Sequence, residues 1–348
     1  MRPPSTTIRG AISRGAAGDG AKPKPSPSHR EGLCHRARRP LPAMDTFFLS
    51  HGSPAICIDE RIPAHSFFKS WLPAAVAGAQ APRAVLVVSA HWETDAPAVN
   101  VVRGTNDTVH DLPGLPDELY KVTSTLDISA SSLARCDCVC VCVTNTITRA
   151  DIVCWRAVHM QLRYPAPGAP GLARRTKELL EGAGFGPVSE EHGRGLDHGA
   201  WVPLMLMFPE ADVPACQLSL QTGRDGAYHY NLGAALAPLR DEGVLVLGSG
   251  TATHNLSQLG PLDAPVPQWA ADFDAWLRDA LLDGRYEDVK RYKEKAPQAE
   301  VAHPSPEHIY PLHVALGAAG DEARAELIHH SWTNATFSYS SYRFTKKI

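Results

Sequence analysis

Histidines stand at or near the ends of three apolar runs in this sequence. His51 follows FFLS in SHGSP, His91 follows VLVVSA in SAHWE, and His254 follows VLVLGSGTAT in ATHN. A fourth, His198, lies in GLDHGAW, just ahead of a predicted helix. A single histidine at a strand end is usually structural, but three flanked by Gly, Ser or Thr favour a shared site. Neutral imidazole is the commonest protein ligand for zinc, iron and copper, so the sequence predicts a site for one divalent metal.

Other polar residues near these runs allow more than one interpretation. His110, in VHDLPGLP, could orient a ligand or cap a turn, and Asp197 could orient a ligand or base or cap the helix that follows it. His303 or His308, in HPSPEHIYPLHVAL, could line the mouth of a pocket. The remaining histidines that we weighed are interpreted as surface or structural residues: His229, His329 and His330.

Several motifs that would indicate other chemistry are missing from the sequence. The helical H-E-x-x-H pair of zinc peptidases does not occur, nor does a Gly-x-Gly-x-x-Gly after a strand. The segment GSGTATHN is rich in glycine but lacks the lysine of a phosphate-binding loop. Nucleotide cofactors are therefore disfavoured.

The elements that must position the histidines alternate along the chain. Apolar runs predict buried strands at 46–52, 84–92, 215–220 and 244–254, and an alternating aromatic pattern predicts a last strand at 335–344. Helices are predicted at 171–184, 200–207, 227–239, 266–283 and 306–319. This order predicts a single α/β domain with a mainly parallel central sheet flanked by helices. Ligands of such sheets bind beyond the carboxyl ends of the strands, where we expect the active site.

The composition restricts the class of partner. The 348 residues include 34 Lys and Arg against 37 Asp and Glu, a net charge of −3, which disfavours nucleic acid and membrane surfaces as partners. No apolar run reaches about 18 residues, the length of a membrane-spanning helix. Eight cysteines are too few for a disulfide scaffold, so we expect a reducing, cytoplasmic location.

Two segments differ from the rest of the chain. Residues 1–43 are rich in Pro, Ser, Gly and Arg, and we expect them to be disordered. They are either a transit peptide, which would make the location organellar, or an artefactual extension, since Met44 begins a strand-like run. Residues 122–161 carry CDCVCVCV, whose alternate cysteines do not have the spacing of zinc ligands. We interpret this segment as an atypical insertion into a catalytic domain of residues 44–348.

The motifs, taken together, resemble a known enzyme family. SHGSP, SAHWET, VHDLPGLPDELY, GLDHGAWVPLMLMFPEADVPACQLSLQ and HPSPEHIYPLHVALGAAG resemble the class III extradiol ring-cleavage dioxygenases. Within that family they are most similar to the DOPA 4,5-dioxygenase extradiol-like branch of plants and bacteria. The resemblance covers about residues 44–121 and 164–345.

The resemblance implies roles for five histidines. His51, His91 and His254 match the positions that hold the metal, which is ferrous iron in the dioxygenases and zinc in some bacterial relatives. His198 matches a fourth active-site histidine, a metal ligand in this branch and the acid/base in protocatechuate-cleaving relatives. His110 resembles the histidine that reaches the substrate and oxygen pocket.

Two positions depart from the family pattern. Protocatechuate-cleaving relatives have a glutamate where this chain has His254, so the resemblance implies an all-histidine ligand set. Pigment-forming members resemble HPSNDTP after the last metal histidine, whereas this chain has HNLSQLGP.

The expected function is that of a non-haem extradiol dioxygenase that opens the ring of a catechol, DOPA-like or related, with dioxygen. One divalent metal, Fe(II) or Zn(II), would lower the pKa of a catechol hydroxyl, and His198 would take the released proton. His110 would stabilise the bound oxygen species. The alternatives are a zinc-dependent hydrolase of a small substrate and an inactive product of a faulty gene model.

Overall fold

An eight-stranded sheet forms the centre of the structure, a computed structural model that describes residues 43–77, 81–111 and 161–346. The strand order is β4-β3-β5-β2-β6-β1-β10-β7, and a separate two-stranded ribbon pairs β8 with β9. The strands are β1 Thr46–Ser50, β2 Ala84–Glu93, β3 Ala98–Asn100, β4 Ser189–Glu191, β5 Ala215–Leu220, β6 Val244–Gly250, β7 Ala323–His329, β8 Trp332–Thr333, β9 Phe337–Ser338 and β10 Ser341–Lys346.

The four middle strands of the sheet, β5-β2-β6-β1, are parallel. Antiparallel pairs lie outside them, between β3 and β5 and among β1, β10 and β7. All residues of β1, β5 and β6 are buried. A sheet covered on both faces explains the continuous apolar runs FFL of β1 and VLVL of β6, whereas β5 (ACQLSL) alternates the buried Gln217 and Ser219 with apolar residues.

Helices cover both faces of the sheet. They are α1 Ala64–Ser66, α2 Leu72–Ala77, α3 Pro170–Gly182, α4 His198–Met207, α5 Gly226–Ala235, α6 Pro238–Asp241, α7 Gln268–Leu282, α8 Tyr286–Lys290, α9 Tyr292–Lys295, α10 Ala299–Ala302 and α11 Tyr310–Ala319. A π-helical turn, Phe67–Trp71, joins α1 to α2. Phe48 and Val246 pack into the core on one face, with α11, whereas Phe47 and Leu247 pack into the core on the other, with α4.

The predicted fold class is confirmed: the sheet is mostly parallel, flanked by helices, and its described residues form one unit. Four predicted strands match β1, β2, β5 and β6 to within a few residues. The last of these ends at Gly250 and not at His254, because the Thr251 N–H bonds to the His308 carbonyl (3.0 Å) instead of to a neighbouring strand.

Three predicted boundaries are wrong. The strand predicted at 335–344 is divided between two sheets, because β9 pairs with β8 whereas β10 pairs with β1 and β7. Its first part starts late, since Asn334 and Ala335 adopt left-handed conformations (φ 54° and 64°) and turn the chain before β9. The helix predicted at 227–239 divides in two, since Pro238 begins α6 and cannot continue α5. The helix predicted at 306–319 starts only at Tyr310.

Parts of the predicted domain organisation lie outside the described residues. Residues 1–42 and 112–160 contain nearly all of the predicted extension and insertion, with the CDCVCVCV segment, so these assignments stay predictions. Within the described ranges, no helix is both long and apolar enough to cross a membrane.

Candidate metal centre

Three of the predicted site histidines come together at the carboxyl edge of the sheet. His51 directly follows β1, His91 lies near the end of β2, and His198 is the first residue of α4. Their ligand nitrogens all lie within 4.8 Å of one another. The Nε2 atoms of His51 and His91 are 3.2 Å apart, and the rings of His91 and His198 have centroids 3.8 Å apart. Parallel strands with ends at one edge bring together residues that are far apart in the sequence.

Hydrogen bonds at Nδ1 fix the protonation pattern of two of these rings. The Ser249 hydroxyl donates to the Gly199 carbonyl (2.5 Å), so it accepts from the Nδ1–H of His51 at 2.9 Å. His198 Nδ1 donates to Asp111 Oδ1 at 2.9 Å, and the His198 backbone N–H donates to the same oxygen at 3.0 Å. Both rings therefore carry a proton on Nδ1, and in the neutral tautomer each presents Nε2 as the nitrogen that can bind a metal.

The donor set fits a divalent cation. His51 Nε2 is an unprotonated acceptor facing His91 Nε2, so either a single proton or a cation can satisfy both nitrogens. Asp111 Oδ2 also lies 3.8 Å from His91 Nδ1, so one carboxylate lies against two of the three rings. Imidazole donors of this kind suit iron and zinc.

His254 belongs to a second group, in which its ligand atom lies within 4.8 Å of those of Glu307 and His308. The rings of His254 and His308 are stacked, with centroids 3.4 Å apart and planes 14° apart. The His308 ring also lies 4.9 Å from that of His91 and 5.7 Å from that of His51. His308 is thus a member of the second group and also lies against two rings of the first. It is buried within the site and does not line its mouth.

Burial favours the neutral form of four imidazoles of the two groups: His51, His91, His254 and His308. It lowers the pKa of His51, His91 and His308 well below the usual value, with neighbouring histidines adding to the effect. Burial lowers the pKa of His254 to about 4 against the opposing charge of Glu307. Neutral rings at neutral pH have lone pairs available for a metal.

The role that the resemblance implies for His110, at the substrate and oxygen pocket, stays a prediction. Among the described residues His110 belongs to neither group of ligand atoms, and Arg163 Nη1 donates to its Nε2 at 2.8 Å. Burial and the charge of Arg163 lower the pKa of His110 to about 4. The neighbouring Asp111 makes the contact with His198. Sequence reasoning assigned Asp111 no role.

Asp197 caps the helix, one of its two predicted alternatives. Its Oδ1 accepts from the Ala200 N–H at 3.3 Å, at the start of α4. It also accepts from Ser89 Oγ and Gln217 Nε2, both at 2.7 Å, and from Arg194. Burial, and then the charge of Asp111, raise the pKa of Asp197.

Three other histidines of the described ranges have structural partners. His303 Nε2 lies 2.9 Å from the Ala252 carbonyl, so this ring is buried behind the site. His229 donates from Nδ1 to the Asp225 carbonyl at 2.7 Å and stacks on Tyr310. His330 is half-exposed and pairs with Asp274 at 3.1 Å.

An α/β sheet with imidazoles gathered at its carboxyl edge is the framework of a metal-dependent enzyme, and comparisons with known proteins specify the family. Residues 136–345 match the family described as the catalytic LigB subunit of aromatic ring-opening dioxygenase. The 4,5-DOPA dioxygenase extradiol of Beta vulgaris is 48% identical over 301 residues, covering 86% of this chain and 96% of that protein. The proteins of that name from Portulaca grandiflora and Escherichia coli are 43% and 31% identical, covering 86% and 79% of this chain and 96% and 85% of theirs.

Structural similarity agrees with these matches. The crystal structure of an uncharacterized protein from Escherichia coli has a TM-score of 0.61 and 26% identity, covering 86% of this chain and 99% of that one. The chain therefore belongs to the LigB family of class III extradiol dioxygenases. It is an oxygenase that acts on an aromatic substrate with dioxygen, and its family implies a metal cofactor.

Proposed function

We propose that this enzyme opens the ring of a catechol of the DOPA type, with ferrous iron held by His51, His91 and His254. The names of the relatives support the substrate class. The observation that carries the proposal is the group of imidazoles at the carboxyl edge of the sheet, in which the Nδ1 of His51 is bonded to Ser249 and its Nε2 faces that of His91. We favour iron over zinc because zinc has no redox chemistry with which to activate dioxygen.

His198 is proposed as the acid/base of the reaction. Its Nδ1–H is held by Asp111, so its Nε2 can take the proton of a substrate hydroxyl. Although burial alone would raise it, the hydrogen bonds from His198 hold the pKa of Asp111 below its usual value, so the carboxylate stays ionised beside the ring. When bound, the metal would lower the pKa of that hydroxyl and hold the substrate and oxygen close together.

The test combines metal analysis with oxygen uptake. The protein is loaded anaerobically with Fe(II), mixed with L-DOPA and oxygen, and followed for oxygen consumption and a yellow semialdehyde product. We expect both. One equivalent of zinc in the purified protein and no oxygen consumption with iron would contradict the proposal and favour the hydrolase alternative.

Two substitutions test the ligand assignment directly. His51→Ala and His91→Ala should each remove the bound metal, whereas His192→Ala, at an exposed histidine, should not. Full metal occupancy in either of the first two variants would show that the replaced histidine is not a ligand.

A further inference from the structure

Glu307 lies against two imidazoles that it could orient. Its Oε1 accepts from His308 Nδ1 at 2.9 Å and lies 3.7 Å from His254 Nδ1. Its Oε2 accepts from the Ser305 hydroxyl. The side chain is only 12% exposed, so little water competes for these contacts. The resemblance to the dioxygenase family assigned no role to Glu307 or His308.

Packing against the sheet fixes the loop that carries Glu307. The Thr251 N–H donates to the His308 carbonyl at 3.0 Å, and the His254 N–H donates to the Ala302 carbonyl at 2.9 Å. At Gly250, the last residue of β6, a Cβ atom would lie 2.0 Å from the His308 carbonyl oxygen. The loop therefore approaches the end of β6 as closely as a glycine allows.

The same arrangement occurs on the other side of the site. Asp111 accepts from His198 Nδ1 at 2.9 Å and lies 3.8 Å from His91 Nδ1, and Glu307 has nearly the same distances to His308 and His254. A carboxylate at Nδ1 fixes the tautomer and orientation of a ring and makes its Nε2 a better donor to a metal. Each carboxylate thus serves two imidazoles of the centre.

We propose that Glu307 is a positioning residue of the metal centre, which keeps Nδ1 protonated on both His254 and His308. Nε2, on the far side of each ring from Glu307, is then the acceptor nitrogen. His308 becomes a fifth imidazole of the centre, in contact with His51 and His91. The inference rests on the proposed function for its metal, but the tautomers themselves do not depend on a metal.

The first arm of the test measures tautomers without metal. Long-range ¹H–¹⁵N spectra of the histidine-labelled chain, assigned with single His→Gln variants, should show His254 and His308 as Nδ1–H tautomers. Glu307→Leu, which removes the acceptor, should raise the Nε2–H fraction of both rings, with His51 and His198 unchanged. Glu300→Leu, at an exposed position of α10, is the matched control and should change none of them. Unchanged His254 and His308 tautomers in Glu307→Leu would overturn the proposal.

The second arm measures binding of Co(II) alone, by its absorption bands and by chelator competition. We expect one Co(II) per chain in the wild type, about 10- to 100-fold weaker binding in Glu307→Leu, and a smaller loss in Glu307→Gln, which keeps the side-chain shape. Changed Co(II) bands in Glu307→Gln would identify a direct ligand, and two Co(II) per chain would indicate a second site, so both results overturn the proposal. Binding in Glu307→Leu within twofold of Glu300→Leu would also overturn it.

The two proposals fail in different ways. If the wild type binds no Co(II) while Glu307→Leu still shifts the tautomers, the proposed metal-dependent function fails and the positioning by Glu307 stands. If the wild type binds one Co(II) and the tautomers do not respond, the positioning fails alone.

Discussion

The side chains behind the imidazoles decide what the imidazoles can do. Ser249, Asp111 and Glu307 each accept a hydrogen bond from Nδ1–H of a different ring, and each leaves Nε2 as the acceptor nitrogen of the neutral ring. Neutral imidazole can carry its proton on either nitrogen, so an unsupported cluster would mix tautomers. By fixing the tautomers, these three acceptors leave the Nε2 atoms of the buried histidines able to bind a metal.

Replacing Asp111 should impair His198 as the base. Asp111→Asn removes the charge that stabilises the protonated ring while keeping the side-chain shape, so we expect kcat/KM for L-DOPA to fall by about 10- to 100-fold. Steady-state oxygen uptake measures this. Asp107→Asn, at an exposed position four residues earlier, should retain wild-type kcat/KM. Equal activity of the two variants would show that Asp111 does not act through His198.

Replacing Ser249 should lower the stability of the fold, because Ser249 is the hydrogen-bond partner of His51. In Ser249→Ala the buried Nδ1–H of His51 loses its acceptor, which costs about 1–3 kcal/mol of the free energy of unfolding. Urea denaturation of the metal-free protein measures the loss. Ser70→Ala, at an exposed serine, should stay within about 0.5 kcal/mol of the wild type. A similar result for Ser249→Ala would mean that His51 finds another partner.

The grouping of His51, His91 and His198 could be predicted from the sequence, but the acceptors of these rings could not. His51 and His91 follow apolar runs, and that local signal needs no knowledge of the fold. Asp111 and His198 are 87 positions apart, and their contact depends on a loop whose path the sequence does not specify. Glu307 adjoins His308, but nothing in the local pattern placed this pair beside His254.

The strands and helices differ in how clearly their sequences define them. The buried strands β2 and β6 begin with the continuous apolar runs AVLVV and VLVL, so their positions follow from local sequence. The short edge strand β4, Ser189–Glu191, is wholly exposed and has no apolar pattern to reveal it. In HPSPEH, the residues before Tyr310 look like the first turn of a helix but form the loop that delivers Glu307 and His308.

The close approach of this loop to β6 predicts a cost for any side chain at Gly250. In Gly250→Ala the new Cβ would meet the His308 carbonyl at 2.0 Å, backbone against backbone, so the loop must move. We expect a loss of about 1–3 kcal/mol in the free energy of unfolding, together with weaker metal binding. Chemical denaturation and chelator competition measure the two effects.

Gly171→Ala is the matched control for this change. Apart from its chain neighbours and the backbone of its own helix, no atom lies within 4 Å of a Cβ at Gly171, in the first turn of α3. Alanine there should leave stability unchanged or raise it by up to about 1 kcal/mol. If Gly250→Ala were as stable as Gly171→Ala and bound metal equally well, the contact between β6 and the His308 loop would not hold that loop in place.

Buried neutral histidines extend beyond the site and make the whole chain sensitive to acid. Burial lowers the pKa of His229 and of His303 to about 3 and also lowers that of His313. An unfolded histidine titrates near 6.5, so below that pH the unfolded chain binds protons that the folded chain does not. The hydrogen bond that His330 donates to Asp274 raises the pKa of His330, an opposite contribution that favours folding below pH 6.5.

The free energy of unfolding should therefore fall as the pH drops from 7 towards 4, with a slope of up to about 1.4 kcal/mol per pH unit for each such histidine. Urea midpoints of the metal-free protein across this range measure the slope. In His229→Gln the slope should become shallower, because the unfolded chain loses one proton-binding group that the fold excludes. His192→Gln, at an exposed histidine, should keep the wild-type slope. Identical slopes in both variants would mean that His229 is protonated as easily in the folded chain as in the unfolded one.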